Sequence, residues 1–309
     1  MSAATARRSD LRYRLSLNLR SVFGRAYPRV IGANREPSWI FFEALLPLLG
    51  IAAYVFVYEA FRDRAIAGLT DPAQIEAIKA TTDGLVASVV LGGTMVAFWL
   101  NVLWSMASQL YWEKEIGNLQ LYMMAPMNRM ALLGGMALGG MFMTSVRALS
   151  TLVAGILVFG VAYEVADPLT LVAVFFVTLI ALYGMGMMFA SLYLLWGREA
   201  WHLSALLEEP IFFSSGFYFP QAGLYQVGGW ARAVAIAGTF IPATLGLDAM
   251  RQLVLGPTAF GGQLWILGVG QELALLAVFA VVFLILARYA LAYLETLAKR
   301  EGKLTSRHQ

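Results

Sequence analysis

The chain has 309 residues, of which 60% are hydrophobic and 13% charged, with a formal net charge of +3 and a mean hydropathy of +0.69. A soluble domain carries about 25% charged and about 45–50% apolar residues, so a soluble globular domain is excluded, and intrinsic disorder with it. There is no cysteine and there are two histidines, His202 and His308, which removes disulfides, thiolate catalysis and cysteine-built metal sites and argues against a histidine-built one.

Residues 1–35 hold eight arginines against one aspartate, Asp10. No apolar run follows the first charges and no small-residue cleavage site is visible, so a signal peptide is not expected. Leu11, Leu15, Leu19, Val22, Ala26 and Val30 share one helical stripe, with arginines on the other faces. Residues 1–37 therefore read as a basic amphipathic interfacial helix on the cytosolic membrane surface, its arginines among lipid phosphates.

Six runs then approach the roughly 20 apolar residues of a spanning helix: 38–61, 85–110, about 131–163, 169–196, 203–219 and about 264–294. The fifth is short and interrupted by Glu208, Glu209 and Pro210. No run shows the alternation of a barrel strand, and lipid-facing backbone must satisfy its own hydrogen bonds. The expected fold is an all-α integral membrane protein of six transmembrane helices, occupying 38–309. Gly135 and Gly139 form a GxxxG helix-packing surface on the third span.

Lysine and arginine placement sets the orientation. One side collects the N-terminal arginines with Lys114, Arg129, Arg198, Arg288, Lys299, Arg300, Lys303 and Arg307; the other has Arg62, Arg64, Lys79, Arg232 and Arg251. Both termini are expected in the cytosol, in a cell (inner) membrane. The segment 216–262 is apolar, carries prolines and glycines, and holds two pieces too short to cross, about 228–237 and 243–255. Broken apolar backbone at membrane depth is tolerated only inside protein or lining a cavity, so it reads as an external re-entrant helical hairpin.

No GxxxxGK[ST] phosphate loop, HExxH or GxSxG occurs, and nothing resembles a basic and aromatic nucleic-acid surface. No enzymatic activity is expected of this chain. Any ATP-hydrolysing engine would be a separate partner.

Two segments carry a resemblance. Between spans two and three, the cytosolic loop 111–130 contains Glu113, Glu115, Gly117, Leu119, Leu121, Tyr122, Pro126 and Arg129: a helix leaves the membrane, breaks at Gly117, runs briefly and stops near Pro126. The external segment contains Gly216, Phe219-Pro220, Trp230, Pro242 and Asp248-Ala-Met-Arg251. In this order and sidedness the chain resembles the type 2 ABC transporter permeases, although Asn118 and Gln120 replace the usual threonine and glutamate. The resemblance implies two permease chains forming a pathway as a homodimer or heterodimer, and two separate ATPase subunits that carry ATP and Mg²⁺. It also implies that the short helix after Gly117 docks on the ATPase, and that transport runs outward. Membrane lipids are the other expected partners; nucleic acid is not one.

Glu113 and Glu115 are candidate coupling carboxylates, toward basic ATPase residues or toward the chain's own N-terminal helix. Arg147 on the third span and Glu272 on the sixth come to comparable depth, which suggests an intramembrane pair, since buried charge seeks a partner. Glu208 and Glu209 are candidates for an inner vestibule. Phe212, Phe213 and Phe217, with Tyr218, are candidates for an apolar constriction between paired chains. The competing class is a secondary transporter driven by an ion gradient, which would show midplane charge and inverted repeats; no repeat is evident.

Overall fold

The computed structural model describes residues 11–33, 38–256 and 266–302, and all regular structure among them is helical. In chain order the helices are α1 (Leu11–Ala33), α2 (Ser38–Ile66), α3 (Pro72–Leu100), α4 (Gln109–Glu115), α5 (Asn118–Met124) and α6 (Arg129–Phe159). They are followed by α7 (Pro168–Trp196), α8 (Ala200–Ser214), α9 (Gln221–Val227), α10 (Gly229–Gly238), α11 (Pro242–Leu255) and α12 (Val269–Arg300). The expected segment beyond Gly256, the expected start of the sixth span at Leu264, and the basic residues Arg7, Arg8, Arg35, Lys303 and Arg307 lie outside the described residues.

The long helices start where the sequence supplies caps. Asp71 accepts from the backbone N–H of Ala73 and Pro72 takes the first helical position; Asp167 and Pro168 do the same for α7, and Asn128 caps α6 through Met130. Four stretches of the described residues are long and apolar enough to cross a bilayer: Pro72–Glu115, Arg129–Phe159, Pro168–Ser214 and Val269–Arg300. A bent pair, α10 with α11 at 93°, would make a fifth.

Pro168–Ser214 is not straight. Gly197 leaves the helical region at φ 55° and ψ −127°, and α8 returns. The Tyr193 and Ser204 hydroxyls bond at 2.7 Å, Ser204 donates to the Leu103 carbonyl at 3.3 Å, and the chain after α8 reaches Gly92 of α3. Over this range α8 runs opposite to α3.

The core lies among α3, α6, α7, α11 and α12, with Trp99, Leu133, Tyr183, Leu247 and Leu276 fully buried. Helix α11 is buried on nearly every face. A Cβ on its Gly246 would lie 2.2 Å from the Thr178 hydroxyl, ten residues, or about 15 Å, along α7 from its start.

Helix α1 packs along α6 in the same direction. A Cβ on Gly135 would lie 2.6 Å from the Val22 carbonyl, one on Gly139 3.1 Å from the Arg29 side chain, and the Asn18 side chain accepts from the Asn128 N–H at 3.1 Å. The GxxxG surface is thus covered by α1, whose backbone approaches because the glycines have no side chain. The expected distribution of its faces is corrected. Arg25 and Arg29 turn inward to Glu113 and Ser105, while Leu15, Leu19, Phe23 and Tyr27 are exposed. Polar groups inside the bundle need partners, and the two arginines supply them.

Candidate functional site

Two places concentrate the predicted residues: a polar elbow between α4 and α6, and a clasp around α11.

At the elbow, the chain leaves α4, takes a left-handed turn at Gly117 (φ 84°, ψ 0°) and enters α5; that conformation suits glycine. Glu113 is buried, and three groups, one from α1 and two from α5, converge on it. The Arg25 guanidinium pairs with Oε1, the Asn118 side chain donates to Oε2 at 3.1 Å, and the Tyr122 phenol lies beside the carboxylate. Burial first, then the Glu113 charge, pushes the Tyr122 phenol above its usual value. Of the two directions open to Glu113, the structure shows the one toward the chain's own N-terminal helix. Glu115 sits half-buried beside it.

Leu119 is inserted into the core at 1% exposure and fixes the inner face of α5. Outward point Ile116, Leu121 and Met124, at 63%, 60% and 75% exposure, with Pro126 also exposed. Arg129 pairs with Glu295 of α12 at 3.1 Å, and Lys299 bonds the same carboxylate. The elbow is therefore tied to the first and last helices, while its tip presents apolar side chains.

At the clasp, Arg251 is wholly buried and donates to four carbonyls. Nη1 reaches Gly216 at 2.8 Å and Phe219 at 3.4 Å; Nη2 reaches Phe217 at 2.9 Å and Ser88 of α3 at 3.0 Å. The turn it grips follows α8, with Gly216 at φ 66°. Pro220 precedes α9 and Pro242 opens α11. Trp230 is exposed and stacks on Phe213, ring centres 6.0 Å apart.

One turn of α11 from Arg251, Asp248 and Glu272 are buried together. Asp248 accepts from the Ile266 N–H at 2.9 Å and from the Gln252 amide at 3.4 Å; that amide also donates to Glu272 at 3.1 Å and to the Leu267 carbonyl at 2.8 Å. The remaining carboxyl oxygens, Asp248 Oδ1 and Glu272 Oε1, are buried without a hydrogen-bond partner, so two like-charged groups are held close together on one amide.

The proposed Arg147–Glu272 pair does not form. Glu272 is turned to Asp248 and Gln252 at the start of α12, where the nearest polar groups are, and Arg147 lies near the Tyr183 phenol. Glu208 accepts from the Trp104 indole at 2.7 Å, and Glu209 is exposed. Phe217 is fully buried within this one chain, edge-on to Phe212 at 5.7 Å, so it does not line a constriction between two chains; its carbonyl is held by Arg251 instead. Phe213 stays exposed.

Sequence reasoning missed the π-helical turn Asn101–Met106 joining α3 to α4. Asn101 accepts from the Tyr183 phenol at 2.9 Å, Ser105 accepts from Arg29, Trp104 donates to Glu208 and the Leu103 carbonyl accepts from Ser204. Widened turns of this kind recur at functional positions. The available signal was the polar spacing of Asn101, Ser105, Ser108 and Gln109 inside an apolar run.

Among the described residues no group of three or more His, Cys, Asp or Glu could hold a metal ion. No protein-family model matches the chain, and no curated protein matches it.

Proposed function

We propose that this chain is the membrane subunit of an ATP-driven exporter of the type 2 ABC permease kind, working as a dimer with two ATPase subunits that carry ATP and Mg²⁺. In this reading the chain sits in the cell membrane with both termini cytosolic. Helices α2, α3, α6, α7, α8 and α12 are its six spans, and α10–α11 is a re-entrant hairpin entered from outside. The observation that carries it is the elbow. Helix α5 is anchored inward through Leu119 and the Glu113–Arg25 pair yet turns Ile116, Leu121 and Met124 outward. A contiguous apolar patch on a rigid polar support is what a protein partner covers.

In this reading the residues take the following roles. Leu121 and Met124 enter the partner's groove. Gly117 provides the bend, and Glu113 with Arg25 keeps α5 from rotating independently of α1. Arg129 and Glu295 pass displacement to α12. At the far end Arg251 keeps the turn 216–219 attached to α3.

The test is purification from native membranes. A P-loop ATPase should co-purify with the wild-type chain and be lost with Leu121→Asp, while the variant's melting temperature stays unchanged because residue 121 is exposed. Transport in vesicles should need ATP.

The buried Asp248–Glu272 pair favours one other reading, an ion-gradient-driven transporter, because carboxyl groups on broken helices are what proton coupling uses. Vesicle transport that follows an imposed proton or sodium gradient and ignores ATP would select that reading and remove the first.

A further inference from the structure

A cleft of about 380 Å³ lies between α3, α6, α7 and α11. Its walls include Met95 and Phe98 of α3, Ala148 and Leu149 of α6, and Val172 and Phe175 of α7. Of the three hydroxyls in the lining, two are spent on backbone, Thr94 on the Leu91 carbonyl at 2.6 Å and Tyr163 on the Ala87 carbonyl at 2.8 Å, and the third is Ser145. A space of this size with apolar walls holds no ordered water, and leaving it empty forfeits dispersion contacts along its whole lining.

The connector from α6 to α7 closes one end of the cleft. Its Glu164 and Ala166 N–H groups each donate at 3.0 Å to the carbonyls of Val254 and Leu253, two of the last-turn acceptors of α11 that the helix cannot satisfy itself. Along this extended piece Tyr163 and Val165 face the cleft. Ala162 and Glu164 line a different cavity, of about 540 Å³, together with Glu59 and Asp83. The cleft and that acidic cavity therefore lie on opposite sides of the connector, with Val254 lining both.

Its open side lies between α6 and α7, which touch only sparsely. Leu149 and Val172 stand at that mouth, 61% and 50% exposed, and Val153 and Phe176 beside them are exposed as well. The mouth is thus continuous with the apolar outer surface of two helices long enough to cross a bilayer. Measured from the α7 start, Val172 and Phe175 lie within about 11 Å of the end of the helix, so the opening faces one leaflet.

We propose that this cleft is a binding site for one acyl chain of a membrane phospholipid, entering sideways from the leaflet next to the α6–α7 connector. The inference rests on the membrane reading of the chain and not on the ATPase partnership. A chain seated there touches Met250, the neighbour of Arg251 on α11, so its occupancy bears on the helix that carries the clasp.

The test uses the full chain in phosphatidylcholine nanodiscs with a trace of phosphatidylcholine carrying a diazirine in its acyl chain. After irradiation, adducts are mapped by peptide mass spectrometry and normalised to Val281 and Ile285, exposed on α12. Adducts on Leu149, Val172 and Phe175 should exceed that reference about tenfold. Ala148→Phe, which fills the floor, and Leu149→Trp, which blocks the mouth from an exposed position, should both abolish the excess. Adducts spread evenly over the exposed faces of α6, α7 and α12, or an excess that survives in Leu149→Trp, would overturn the proposal. No labelling on α12 would overturn the membrane reading, and the cleft assignment with it.

Discussion

The carbonyl oxygen of Phe217 lies 1.6 Å from the point where a Cβ on Gly92 would stand. The turn after α8 and the middle of α3 thus meet backbone to backbone, and Arg251 ties both through Phe217 and Ser88. Neither contact tolerates an intervening atom.

Gly92→Ala should therefore destabilise the protein by at least the about 1–3 kcal/mol usual for overpacking, because the obstructing atom is backbone. Gly134 has nothing within 4 Å of its would-be Cβ. Gly134→Ala should instead stabilise α6 by about 0.5–1 kcal/mol. Thermal unfolding in the same detergent compares the two.

Removing the clasp strands buried acceptors, each worth about 1–3 kcal/mol. Arg251→Met should lower the melting temperature strongly and open residues 216–227 to protease. Arg251→Lys should recover only part of the loss, since an ammonium cannot span two carbonyls on each of two nitrogens. Equal stability of wild type and Arg251→Lys would show that the fork geometry is irrelevant.

The Arg25–Glu113 pair joins a buried carboxylate to a partly exposed guanidinium. Its coupling energy in a double-mutant cycle of Arg25→Ala and Glu113→Gln should reach about 1–3 kcal/mol, above the about 0–1 kcal/mol of an exposed pair. ATPase co-purification should fall in both single variants, as α5 loses its support.

Asp248 and Glu272 are buried on the same Gln252 amide, and two like charges so close disfavour full ionisation, so a neutral amide can take one place. Glu272→Gln should stay within about 1 kcal/mol of wild type, whereas Glu272→Ala leaves buried acceptors and donors unpaired at about 1–3 kcal/mol each. A Gln variant as unstable as the Ala variant would show that the pair is fully ionised.

Asp167 caps α7, and the hydrogen bonds from Thr170 and then Leu169 hold its carboxyl below the usual carboxylate value. A depressed folded-state value means that the stabilisation is fully present above the unfolded value, near pH 4, and is lost as pH falls through the folded one. The difference in melting temperature between wild type and Asp167→Asn should accordingly shrink below about pH 4. A constant difference from pH 6 to pH 2.5 would contradict the cap's ionic character.

Much of the helix order was legible because the sequence marks it with strong local chemistry. Asp167-Pro168 opens α7 at the expected start near 169 and Gly117 takes its left-handed angle at the expected break, whereas Asp71-Pro72 opens α3 well before the expected start at 85. The half-helices expected at 228–237 and 243–255 correspond to α10 and α11. What stayed hidden depends on which residues meet across the bundle. Periodicity put arginines on the outside of α1, but Glu113 and Ser105 drew Arg25 and Arg29 inward. Depth counting paired Glu272 with Arg147, yet depth does not fix azimuth, and Asp248 was on the nearer helix face. The π-helical turn at Asn101 has no breaker residue in it; it exists because four neighbours bond to its widened backbone and side chains.

The extended connector at 162–165 works as a partition between two solvents. A single inserted residue there would exchange its sides at once, turning a carboxylate toward oil and a valine toward water, and would also slide both N–H donors off the end of α11. Such an insertion in this short ribbon should therefore do more damage than its position between two helices suggests, coupling loss of insulation to loss of the helix cap.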